Sequence, residues 1–181
     1  MSKSGLKTKK TDRRFLTEEH MMFRDSIRKF IEKEIDPYYE QWEKDRIIPR
    51  ELWIKLGSQG FLCPSVEEDY GGLGLDFGFD VVLSEELARV GAGLSGVNLH
   101  CNVVTPYITQ FCTEEQKKRF LPKFVSGEWI SAIAMTEPGA GSDLQRISTT
   151  AIKDGSDYIV NGQKTFITNG ILSDVVIVAC K

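Results

Sequence analysis

The chain has 181 residues, of which 41% are hydrophobic and 27% charged, and a formal net charge of −3. These proportions belong to an ordinary globular protein with a packed core, in one domain or two small ones. A mildly acidic balance without a clustered basic face argues against nucleic-acid binding, and the longest apolar runs are far too short to form a transmembrane helix.

The first fourteen residues carry Lys3, Lys7, Lys9, Lys10, Arg13 and Arg14 against the single acid Asp12. They lack the apolar core of a secretory signal, so residues 1–14 are expected to be a disordered basic tail, with an organelle-targeting remnant as the alternative. A helical pattern follows over residues 15–129. Thr17 is placed to cap a helix whose apolar positions Phe23, Ile27, Phe30, Ile31 and Ile35 recur at spacings of three and four, and Pro37 ends or kinks it. "PRELWIKLGSQG" predicts a short helix closed by Gly57 or Gly60, and "FDVVLSEELARVGAG" another stopped by Gly91 and Gly93. "TEEQKKRFLPKFVSG" opens on a capping box, Thr113 with Gln116, and closes at Gly127.

From residue 130 the pattern changes to short β runs: "WISAIAM", "ISTTAIK", "DYIV", "KTFIT" and "DVVIVAC". Asp154-Gly155, Asn161-Gly162 and Asn169-Gly170 separate several of them, and such pairs favour hairpin turns because positive φ is cheap there. The expected fold class is α+β: an all-α domain over 15–129, then the first part of an antiparallel β-barrel domain over 130–181, incomplete here. The last run ends on Cys180 and Lys181 with bare β edges, which suggests a longer protein or a partner that completes the sheet.

The four cysteines, Cys63, Cys101, Cys112 and Cys180, form no C-x-x-C pair and, with two histidines, no zinc spacing. No metal site is expected, and the thiols are expected to be buried and reduced. His20, in the first turn of its helix, is expected to face solvent, and His100 to sit in the core or at an interface rather than to activate Cys101. Glu114, Glu115, Lys117, Lys118 and Arg119 form a solvated helix face.

Two stretches carry chemistry. "TEPGAGSD" has no lysine for a phosphate-binding P-loop, and Leu144 stands where a dinucleotide fingerprint would need its third glycine. It remains a loop whose backbone can approach a ligand, with N–H groups arranged as an anion-binding nest and with hydroxyls on Thr136 and Ser142. The alternative is a turn that serves geometry alone. In "KTFITNG", strand alternation places Phe166 and Thr168 on one face and Ile167 on the other. An aromatic beside a hydroxyl suits a flat heteroaromatic ring, and the alternative is a half-buried strand with Phe166 in the core.

"EEDYGGLGL", "EEQKKRFLPKFVSGE", "AMTEPGAGSDL" and "NGQKTFITNG", in this order, resemble the acyl-CoA dehydrogenase family over nearly the whole chain after residue 15, with the closest look to its long-chain members. The resemblance implies FAD along Ile133, Ala134, Met135, Thr136, Glu137, Pro138, Gly139, Ala140, Gly141 and Ser142, with Phe166, Ile167 and Thr168 flanking the flavin ring. The position of Thr136 meets the pyrimidine edge in the family, that of Thr168 reaches N5, and that of Ser142 touches cofactor phosphate and bound acyl-CoA. Ile133 departs from relatives with an aromatic residue there.

The implied reaction is oxidation of a fatty acyl-CoA thioester to trans-2-enoyl-CoA in β-oxidation, with electrons passed to an electron-transferring flavoprotein. The resemblance also implies a homo-oligomer, a tetramer or dimer, in the bacterial cytoplasm or in a eukaryote's mitochondrial matrix. Family chains run to roughly twice this length. Their catalytic glutamate lies in a C-terminal four-helix bundle beyond Lys181, so no catalytic residue is assigned and Glu137 is expected to serve the loop's structure. Acyl-CoA oxidases and nitroalkane oxidases share the flavin cradle, and a truncated, non-catalytic assembly module is a further alternative.

Overall fold

The computed structural model describes residues 15–91 and 94–181. The basic tail expected at 1–14 and the helix stop expected at Gly93 lie outside the described residues. Helix α1 (Glu18–Glu34) buries Ile27 and Ile31 and ends before Pro37, which opens α2 (Asp36–Asp45). His20 corrects the expectation of a solvent-facing residue, being only 2% exposed. It lies on the same helix face as Phe23 and Ile27, so the helical period turns it inward. Its Nδ1 accepts the Thr17 N–H at 3.0 Å, and its Nε2–H donates to Asp76 Oδ1 at 2.9 Å. Asp76 caps α4 (Phe77–Val90) by accepting the Gly78 N–H, so one imidazole joins the starts of two helices. Further along the same pair, Arg28 grips the buried Glu86 at 2.8 and 3.0 Å.

Helix α3 (Arg50–Ser58) lies against the end of α7 (Glu114–Val125), whose Thr113–Gln116 capping box forms as expected. Two glycines allow the contact. A Cβ on Gly57 would stand 2.3 Å from Ser126 O, and one on Gly127, where φ is +74°, would stand 2.2 Å from Trp53 O. Between α4 and α7 runs a rod of α5 (Ser95–Leu99), one π-helical turn (His100–Val104) and α6 (Thr105–Phe111). The wide turn has a cause in Pro106, which has no N–H to continue the regular ladder, and the Thr105 N–H and hydroxyl both reach His100 O instead.

His100 lies in the core, as expected, wholly buried. Its Nδ1 accepts the Ser131 N–H at 3.1 Å and its Nε2–H donates to Phe124 O at 3.2 Å, tying the rod to α7 and to the first strand. Cys63 and Cys101 are buried free thiols. Cys112 is only half-buried and Cys180 is exposed, which corrects the expectation for that pair.

Strand β1 (Ser131–Ala134) is buried along its whole length, and Ile130 and Ile133 join the helical core. It pairs in parallel with β4 (Val175–Val178), Ser131 opposite Val175 and Ala134 opposite Val178. β2 (Thr150–Asp154) and β3 (Asp157–Asn161) form an antiparallel hairpin beside them. The α+β class holds, and the parallel β1–β4 pair departs from the antiparallel expectation. A parallel pair needs a long crossover, here residues 135–174, and turn signals report only on neighbours in sequence. Only the Asp154-Gly155 signal makes a hairpin; Gly155 (φ +61°) and Ser156 are its two loop residues. Asn161-Gly162 makes none, and Asn169-Gly170 makes a turn that precedes β4 by several residues.

One buried carboxylate works against stability. Asp80 on α4 is 1% exposed, and neither of its oxygens has a hydrogen-bond partner of good geometry among the described residues. Burial pushes its carboxyl from 3.8 up to about 6, with the nearby Ser65 hydroxyl offsetting only part of the rise. The folded state therefore holds a proton that the unfolded chain has released, and stability declines as pH rises from about 4 through 6. Asp80→Asn is expected to stabilise the fold at pH 8 by about 2 kcal/mol, with the difference closing as pH falls toward 4. Chemical denaturation at the two pH values checks this, and an equal increment at both would exclude titration of Asp80 as its cause.

Candidate functional site

The glycine turn leaves the end of β1. Glu137 and Ala140 exchange backbone hydrogen bonds of 2.9 and 3.1 Å around Pro138 and Gly139, with proline at the turn position that favours it. Gly139 and Gly141 have no left-handed φ, and a Cβ at either would meet nothing within 4 Å. Neither backbone conformation nor internal packing therefore demands glycine at these exposed positions. No residue of the turn is left-handed, so an N–H nest here would have to rest on the turn conformation itself.

The turn is anchored from beneath by Glu137, which is 5% exposed. Its carboxylate accepts from the N–H and hydroxyl of Ser148 (both 2.7 Å), the N–H and hydroxyl of Thr149, and the Lys164 ammonium at 2.8 Å. The Lys164 charge and the Thr149 and Ser148 hydroxyls hold this carboxyl well below the usual carboxylate range. Lys164 also donates to Met135 O at 3.0 Å. A carboxylate so occupied has no free oxygen to take up a proton, so Glu137 is structural, as expected, and not a base.

Lys164 brings the second stretch alongside the first. The Thr165 N–H donates to Thr136 O at 3.0 Å, setting Phe166 beside the glycine turn. "KTFIT" is not a strand, which corrects the alternation argument. Phe166 (φ 56°) and Asn169 (φ 64°) are both left-handed, and such residues break a strand. Phe166 and Thr168 nevertheless both face outward, with Phe166 92% exposed, while Ile167 turns partly inward. Phe166, held at positive φ with its side chain exposed, lies outside the core that the described residues form.

Next to this loop is a cavity of about 440 Å³ between the helical and β parts. Trp42, Trp53, Leu94, Val97 and Leu172 give it an apolar wall, Ile167, Thr168 and Asn169 form one side, and Glu43 and Arg46 add charge. No residue of the glycine turn lines it.

Of the expected site residues, Pro138, Gly139, Gly141, Ser142, Phe166 and Thr168 gather on the surface, with Met135, Thr136 and Ile167 half-buried beside them. The side chains of Ile133, Ala134 and Ala140 are buried, so only their backbones can meet a ligand. Sequence reasoning missed Lys164, Ser148, Thr149 and Asn169. The Asn169-Gly170 pair was a signal for Asn169, while nothing local marks Lys164 as the partner of a glutamate 27 positions earlier.

The chain thus joins a helical part to a β part that presents an open glycine turn beside an exposed aromatic residue. Residues 17–128 match the family model described as acyl-CoA dehydrogenase, N-terminal domain, and residues 132–181 match that described as acyl-CoA dehydrogenase, middle domain. The chain belongs to the acyl-CoA dehydrogenase family.

The mitochondrial long-chain specific acyl-CoA dehydrogenase of Sus scrofa is 51% identical over 166 residues, covering 92% of this chain and 39% of that protein. The crystal structure of an acyl-CoA dehydrogenase from Geobacillus kaustophilus superposes with a TM-score of 0.91 at 64% identity, covering 93% of this chain and 44% of that one. An acyl-CoA dehydrogenase from Bacillus anthracis complexed with FAD superposes with a TM-score of 0.87 at 36% identity, covering 93% and 30%. The chain thus spans about two fifths of the length of the Sus scrofa relative.

Proposed function

We propose that this chain contributes the helical and β parts of an FAD-dependent acyl-CoA dehydrogenase that oxidises fatty acyl-CoA thioesters in β-oxidation and passes electrons to an electron-transferring flavoprotein. The observation that carries the reading is the pair Gly139 and Gly141. Among the described residues nothing needs glycine at either position, so the cleared space suits something outside them. The family membership and the FAD complex of the Bacillus anthracis relative support FAD as that group.

The residues present fit it. Gly139 and Gly141 admit a pyrophosphate close to the backbone, and Ser142 and Thr136 offer hydroxyl donors. Phe166 offers an exposed ring face, and Thr168 a hydroxyl on the same loop. Bound there, FAD supplies a hydride acceptor for oxidation of a carbon–carbon single bond. The chain's own residues position it. Glu137 and Lys164 hold the turn, the Thr165–Thr136 bond sets the aromatic loop beside it, and the neighbouring apolar cavity suits a fatty acyl chain.

The purified protein is expected to show oxidised flavin bands, and these are expected to bleach on anaerobic addition of a long-chain acyl-CoA where the base of the family's C-terminal bundle is also present. Gly141→Val is expected to weaken FAD binding at least about tenfold while its melting curve stays within about 0.5 kcal/mol of the parent. Retention of FAD at full strength by Gly141→Val would overturn the reading.

A further inference from the structure

Asn169 lies outside the set of residues read above as facing FAD, yet its side chain is bonded to both the helical and the β part. Both hydrogens of its amide are in use, Nδ2 donating to Gly96 O at 2.9 Å and to Ser131 O at 3.0 Å. One acceptor belongs to α5 and the other to β1, so a single side chain joins the helical part to the buried strand. The receptor is shaped for it, since a Cβ on Gly96 would stand 2.1 Å from Asn169 Oδ1. Any side chain there would expel the amide. Asn169 is left-handed, a conformation that asparagine tolerates better than other residues with side chains, and its carbonyl accepts from the Leu172 and Ser173 N–H groups, both at 2.9 Å. The Gly170 N–H closes the turn on Ile167 O at 2.9 Å. Three and five residues on, Arg50 clamps the other end through Leu172 O at 2.6 Å and Asp174 Oδ2 at 2.7 Å.

We propose that Asn169 is a positioning residue, which through its double amide bond to α5 and β1 fixes the place of Phe166 and Thr168 against the flavin. The role of the loop rests on the FAD reading given above; the latch itself rests on geometry alone. Phe166 is left-handed with its ring in solvent, so nothing beneath it holds it there. Its position depends on the bonds that flank it, the Thr165–Thr136 contact before and the Asn169 latch after. Because Gly96 and Asn169 also wall the apolar cavity, the latch sets the spacing between that cavity and the aromatic loop.

Two substitutions in the purified protein separate the amide from the backbone. Asn169→Gly keeps the left-handed turn and removes the amide. Asn169→Asp keeps the shape and sets a carboxylate against two carbonyl oxygens. In both, amide hydrogen exchange over residues 165–170 is expected to quicken at least about tenfold, and the visible bands of bound FAD are expected to shift in position. A merely structural residue would lower the melting temperature and leave the spectrum of the flavin that stays bound unchanged. Gly96→Ala, which fills the receptor, is expected to reproduce the shift. Unchanged exchange in Asn169→Gly and Asn169→Asp would overturn the latch, and quickened exchange with an unshifted flavin spectrum would overturn its positioning role. If the parent takes up no FAD, the FAD reading falls, and the exchange rates still decide whether Asn169 holds the loop.

Discussion

Gly57→Ala is expected to destabilise the fold by on the order of 3 kcal/mol or more, enough to lower the melting temperature by roughly 10 °C. The added Cβ would stand 2.3 Å from Ser126 O, 2.4 Å from Ser126 C and 2.8 Å from Val125 O. These are backbone atoms at the end of α7, which cannot rotate away as a side-chain tip can. The relief available is to push α3 off α7, and that opens a core containing Trp53, Leu56, Leu121 and Phe124, each 2% exposed or less. Gly71→Ala is the matching control. Gly71 has φ +85° and open space around its Cβ position, so alanine there should cost only about 1 kcal/mol of backbone strain. Similar losses for the two variants, measured by chemical denaturation, would mean that α3 can shift to absorb the methyl.

The second large effect falls on the glycine turn and not on the core. Glu137→Gln is expected to weaken FAD binding about tenfold or more, the equivalent of losing one or more charge-assisted hydrogen bonds. The amide would set an N–H2 donor either against Ser148 or against Thr149 and Lys164, which are donors already. The parent carries its own pH signature. The folded carboxyl lies well below its ordinary 4.5, so the anchor is intact above 4.5 and is lost as pH falls below that value through the folded one. FAD retention by the parent should therefore hold at neutral pH and fail in acid, whereas Glu137→Gln should bind weakly throughout. Equal FAD retention by the two proteins at pH 7 would show that the turn keeps its shape without the charge.

Four glycines sort by role only in three dimensions. Gly57 and Gly127 are demanded by neighbouring backbone, whereas Gly139 and Gly141 are demanded by nothing in the chain. In sequence all four read as turn glycines, and only the resemblance to the family set Gly139 and Gly141 apart. The two histidines also sort in three dimensions. His100 sits in the core as its pattern suggested, but His20 was legible only as a residue in a first turn. Its partner Asp76 lies 56 positions away and comes close only when α4 packs on α1.

The amino-acid sequence by itself determined the elements that rest on local physics. The α1 break at Pro37, the Thr113 capping box, the Gly155 hairpin and the change from helical to strand patterning near residue 130 all depend on residues a few positions apart. Ordered motifs also pointed to the family. Tertiary structure alone decided the parallel pairing of β1 with β4, the burial of Glu137 under Lys164, and the Asn169 latch onto Gly96. Each of these joins residues from 27 to 73 positions apart, counted for the strands from Ser131 to Val175. Hydrogen-bond partners at such separations leave no mark in local spacing, because the packed core brings them together and not the chain between them.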